Sequence, residues 1–107
     1  MKYVGVDIGG TNLKAGLTDE SGQLLAVQKM KVAAITDQPS LAWTIVSLTQ
    51  ELAKCAGVPL NEIASVGVGV PGTVEIRSGS IGYTCNLPLQ NVPLRKLFHH
   101  YLPIPLY

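Results

Sequence analysis

The stretch "KYVGVDIGGTNLKAGLTD", residues 2–19, restricts the fold more than any other part of the chain. Val and Ile dominate its first half, which ends in an acid. Two glycines, a threonine and an asparagine follow, and then apolar and polar residues alternate. Period two on both sides of a glycine-rich interruption is the pattern of a β-hairpin. The turn signal Glu20-Ser21-Gly22 and the run "QLLAVQKMKVA" add a third strand, so residues 1–33 are expected to form an antiparallel meander. A sheet with an apolar face needs a second layer. Asp37 as N-cap, Pro39 in the first turn, apolar residues at Leu41, Ile45, Leu48, Leu52 and Cys55, and Lys54 with Gly57 at the end predict one amphipathic helix over about 38–56.

The rest of the chain completes the layer. "ASVGVGVP" predicts a fourth strand, parallel to the first and central in the sheet, apolar almost throughout because both of its faces are covered. "TVEI" and "SIGYT" flank Arg77-Ser78-Gly79 as a small hairpin, "CNLPLQNVP" reads as loop, "LRKLFHHY" as a short helix, and "PLY" as the start of a further strand. At 107 residues with 47% hydrophobic and 14% charged content, the chain is sized for one domain, and it stops in mid-element. Eight basic against seven acidic residues leave +1, with no Lys/Arg stripe to follow a phosphate backbone, so nucleic acid is not an expected partner. No apolar run reaches membrane-spanning length and no signal-like segment follows Met1; a cytoplasmic chain without a membrane partner is expected. Cys55 and Cys85 are too few and too far apart for a disulfide framework or a CxxC metal site.

Two glycine clusters carry the chemistry. In "DIGGTN", Gly9 and Gly10 bring main-chain N–H groups within reach of an anion, and Thr11 and Asn12 add side-chain donors. Asp7 repels a phosphate but suits the waters of a Mg²⁺ that a nucleotide carries. The alternative is a plain hairpin in which the glycines supply positive φ and the acid is a turn former. The second cluster, Gly67-Val68-Gly69-Val70-Pro71-Gly72, satisfies GxGxxG literally. A dinucleotide fingerprint must open a helix and meet an acid about 20 residues on, whereas "TVEIRSGSIGYT" is β-like. Close strand packing at Gly67 and Gly69, ended by a Pro71-Gly72 turn, fits better.

Taken together, "VGVDIGGTNLKAGLTDESG" resembles the first phosphate motif of the sugar-kinase, heat-shock-protein 70 and actin superfamily. "VGVGVPGTVEIRSGSIGYTCNLP" with "VPLRKLF" resembles the ROK family, which contains repressors and sugar kinases, over essentially the whole chain. The resemblance implies an α/β fold of the ribonuclease-H-like (actin-like ATPase) class, with residues 1–107 forming the small N-terminal domain. It implies that Asp7, Gly9, Gly10, Thr11 and Asn12 form the nucleotide phosphate loop for ATP with Mg held indirectly by Asp7. Pro71, Gly72, Thr73 and Asn86 correspond to the sugar-side edge for a hexose or N-acylhexosamine. Asparagine at position 12 departs from the commoner lysine and removes a positive charge near the phosphates. The family's catalytic aspartate lies on the strand after "LPIPLY", so no catalytic residue is expected here. The second phosphate motif, the adenosine motif, the residues that read hexose hydroxyls and the zinc motif also fall beyond Tyr107. Asp19, Glu20, Glu51, Glu62 and Glu75 read as solvated surface, and the adjacent His99 and His100 cannot face one ligand. A sugar kinase inactive as this fragment is the favoured expectation. A ROK transcriptional regulator, whose winged helix-turn-helix would precede the kinase-like part, and a degenerate sugar-binding module are the alternatives. Exposed strand edges leave room for a homodimer.

Overall fold

A computed structural model describes residues 1–84, 87 and 89–107. Asn86, expected at the sugar-side edge, and Cys85 lie outside the described residues.

The meander forms as the alternation demands: β1 is Lys2–Ile8, β2 Asn12–Thr18 and β3 Leu24–Lys31. Val4, Val6 and Ile8 of β1 and Leu13, Ala15 and Leu17 of β2 are buried, while the residues between them point to the other face. The helix α1, Gln38–Ala56, covers the apolar face. Its start is a reciprocal cap in which Asp37 accepts from the Ser40 N–H and Ser40 Oγ accepts from the Asp37 N–H; Gly57 closes it with φ 67°. Leu41, Ile45, Val46 and Leu52 are fully buried, each contributing about 1.5–3 kcal/mol by removal from water.

The strand β4, Ile63–Gly69, pairs parallel to β1, giving the sheet order β3-β2-β1-β4. On its far side Leu106 bridges Val66 in parallel, with the Tyr107 N–H donating to Val66 O at 2.8 Å. β4 is therefore central and the closing "PLY" does pair as a strand would. The expectation that both faces of β4 are covered does not hold. Ile63 and Val66 are buried, but on the other face Ser65 and Gly67 are only half-buried and Gly69 is exposed. Only one face of this sheet carries a helix. Its apolar look on the other face comes from glycine, which is apolar without needing burial.

A second, antiparallel sheet orders β5 (Gly72–Glu75), β6 (Ser80–Thr84) and β7 (Gln90–Val92) as β5-β6-β7. The hairpin of β5 and β6 was legible; β7 falls inside the expected loop. The helix α2, Leu94–His99, buries Leu94 and Phe98 against α1 and β6, joining the two sheets through one core. No helix among the described residues is long and apolar enough to cross a membrane.

Candidate phosphate-binding site

β1 and β4 run parallel side by side, and each ends in one of the two glycine turns. Ligands of open α/β sheets gather outside the carboxyl ends of such strands. Residues 62 positions apart are thereby brought to one edge: the register sets Asp7 beside Gly69, with Lys14 of β2 on its other side.

Asp7 is exposed on the helix-free face, and no hydrogen bond or ion pair among the described residues engages its carboxylate. A Cβ at position 69 would lie 3.8 Å from Asp7 Oδ1. The acid thus rests over bare backbone of β4 with both oxygens available. Below it runs a shallow trough of about 420 Å³ crossing the sheet over Gly67, Gly5 and Gly16, rimmed by Asp7, Lys14 and Val27.

The turn itself discriminates between the two readings of its glycines. Neither Gly9 nor Gly10 has positive φ. The Gly9 N–H donates to Asn12 O at 3.0 Å, and a Cβ on Gly9 would stand 2.8 Å from that same oxygen, so close approach of backbone demands glycine there. Around Gly10 nothing lies within 4 Å of where a Cβ would be; the residue is exposed and bonds to no described residue. Its bareness has no local steric cause, and the exposed turn leaves its backbone open to a ligand. The Thr11 carbonyl accepts from the Val32 N–H at 2.8 Å, tying the turn to the end of β3.

At the second turn the Gly72 N–H donates to Val70 O at 3.0 Å, and a Cβ on Gly72 would overlap the Tyr83 carbonyl. Thr73 Oγ1 accepts from the Tyr83 N–H at 3.0 Å where the β5–β6 register shifts. Gly72 and Thr73 therefore shape the hairpin; the threonine hydroxyl proton stays available to another acceptor. Pro71 is half-buried between β4 and this hairpin.

The remaining candidates fall where expected. Asp19 accepts from the backbone N–H groups of Ser21 and Gln23, and Glu20 pairs with the Met1 ammonium at 2.7 Å. Glu51, Glu62 and Glu75 are exposed, and His99 Nε2 lies 3.0 Å from Ile104 O. Among the described residues no group of His, Cys, Asp and Glu could by itself hold a metal. Sequence patterning missed the lysines Lys14, Lys29 and Lys31, all exposed, which line up on the same face as Asp7. Counting register back from the Glu20-Ser21-Gly22 turn was the signal that could have found them.

Residues 3–107 match the ROK family. The chain belongs to that family. A putative xylose repressor of Caldicellulosiruptor sp. (strain Rt8B.4) is 28% identical over 104 residues, covering 97% of this chain and 26% of the repressor. A glucokinase of Streptomyces coelicolor is 31% identical over 93 residues, covering 87% of this chain and 27% of the glucokinase. The crystal structure of a ROK family glucokinase from Streptomyces griseus in complex with glucose and AMPPNP superposes with a TM-score of 0.82 at 24% identity, over 99% of this chain and 32% of that one. The fold is thus the actin-like ATPase (ribonuclease-H-like) α/β class. The ROK chain described here spans about a quarter of the length of these curated relatives.

Proposed function

We propose that this ROK chain is the phosphate-loop domain of an ATP-dependent sugar kinase, transferring the γ-phosphoryl of ATP to a hydroxyl of a hexose or N-acylhexosamine. The observation that carries the reading is the pairing of Asp7 with Gly69, which sets an unengaged carboxylate between two glycine turns at one sheet edge. Gly10 and Thr11 offer backbone and hydroxyl donors to phosphate oxygens, and Gly9 holds the turn narrow. An unengaged, exposed carboxylate fits a hard cation reached through water, so Asp7 is the residue that would orient Mg²⁺. Mg-ATP supplies the phosphoryl group and the metal charge that offsets its negative oxygens. Pro71, Gly72, Thr73 and Asn86 form the sugar-side edge in this reading. In this reading the chain's own residues position phosphate, and removal of the hydroxyl proton is not assigned to any of them. The AMPPNP and glucose held by the Streptomyces griseus enzyme support the choice of ligands.

The likeness to a xylose repressor, which spans more of the chain than the glucokinase match, favours a second reading: a ROK regulator that retains the kinase fold. The two part on turnover. In a full-length protein carrying this chain, sugar-dependent ATP consumption is expected. Asp7→Ala is expected to lower kcat by about 10²-fold or more with little change in nucleotide affinity, because a metal-orienting group acts chiefly in the transition state. Sugar binding without any ATP consumption, together with binding to operator DNA, would move the assignment to the regulator.

A further inference from the structure

We propose that Lys31, backed by Lys29 and Lys14, supplies the positive charge that the phosphate turn lacks at Asn12, so that the bound ligand is a condensed phosphate chain. The inference rests on the reading of residues 7–12 as a phosphate turn, and adds who carries its charge. Register is the first ground. Asn12 faces Lys31 and Lys14 faces Lys29 across the β2–β3 ladder, all on the face that presents Asp7. Side chains directly opposite on neighbouring strands start about 5 Å apart, well within the reach of a lysine stem. The position is also held: the Val32 N–H bonds to Thr11 O, so the residue after Lys31 is fastened to the turn.

Charge is the second ground. Asp7 is the only acid on this corner against three lysines, and none of the three has a carboxylate partner among the described residues, where the single ion pair joins Met1 to Glu20. Like charges placed opposite one another in a ladder cost stability. An anion seated among them removes that cost. Ammonium groups on flexible stems act as point charges and need no fixed fork geometry, which suits a chain of phosphoryl groups following the turn. A lysine moved from position 12 to its cross-strand partner at 31 keeps the charge while leaving the β2 position to a neutral donor.

Isothermal titration of the 107-residue chain with Mg-AMPPNP and, separately, with inorganic tripolyphosphate, each at several salt concentrations, tests this. Lys31 is exposed, and far-UV circular dichroism of Lys31→Met is expected to match the parent. Lys31→Met is expected to weaken both ligands about tenfold and to flatten the salt dependence, and adding Asn12→Lys to that variant is expected to restore both. Unchanged affinity and salt slope in Lys31→Met, with the parent binding normally, overturns the inference while leaving the phosphate turn standing. A parent chain that binds neither ligand overturns the phosphate turn itself, and the inference with it. Weakening confined to tripolyphosphate upholds the lysines as the charge for a condensed phosphate chain and assigns that chain to a free polyphosphate instead of the nucleotide.

Discussion

Gly9 and Gly10 are neighbours of one type, yet the structure separates their reasons for being glycine. A methyl at position 9 meets the Asn12 carbonyl at 2.8 Å, and backbone cannot give way cheaply inside a hairpin turn. Gly9→Ala is expected to destabilise the fold by about 1–3 kcal/mol, as overpacking does. At position 10 the methyl meets open space at an ordinary φ. Gly10→Ala is expected to leave stability within about 0.5 kcal/mol, and a bulkier Gly10→Val to block phosphate from the amide. Chemical denaturation and phosphate titration of the three variants check this contrast. Equal destabilisation at both positions would return the turn to a purely structural role. Sequence alone left those two readings open, because a GG pair does not reveal which glycine is crowded and which is bare.

Among the elements, the turn between β2 and β3 carries a pH signature. Hydrogen bonds from Ser21 and Gln23 hold the Asp19 carboxyl below its ordinary 3.8, and the Met1 ammonium, as donor and as charge, holds Glu20 below its ordinary 4.5. A carboxylate whose folded pKa is depressed binds fewer protons than in the unfolded chain. Its stabilisation is therefore complete above the ordinary value and is lost as the pH falls through the folded one. Thermal midpoints are expected to drop on acidification below about pH 4.5, and Asp19→Asn and Glu20→Gln are each expected to flatten that drop slightly; both sites are exposed, so added salt should mute the Glu20 effect. The elements themselves were largely legible. The meander, α1 and the parallel β4 follow from period two, period 3.6 and caps with known chemistry. β7 was not, because three residues hold no period and Asn91 sits at φ 53°, outside ordinary strand geometry. The uncovered face of β4 was misjudged because Gly67 and Gly69 count as apolar in a pattern while burying nothing. Lys31 escaped notice since its neighbour Asn12 is assigned only by the ladder, never by sequence distance.

At the scale of the whole molecule, one core of aliphatic side chains plus Phe98 joins both sheets through α1 and α2, while one sheet edge gathers the two glycine turns. This division between packed interior and bare edge is what the proposed phosphate site rests on, in a chain spanning about a quarter of the length of its relatives. Positioning phosphate needs only the edge, whereas attack by a sugar hydroxyl needs a base and a water-excluding partner surface as well. The most direct measurement is an amide nuclear-magnetic-resonance titration of the 107-residue chain with Mg-AMPPNP. The largest shifts are expected at Gly9, Gly10, Thr11 and Asn12, followed by Gly69 across the rung from Asp7, and are expected to vanish when Gly10 is replaced by valine. A saturating titration that leaves those amides unmoved, or moves only residues elsewhere on the sheet, would contradict the assignment of this edge to phosphate.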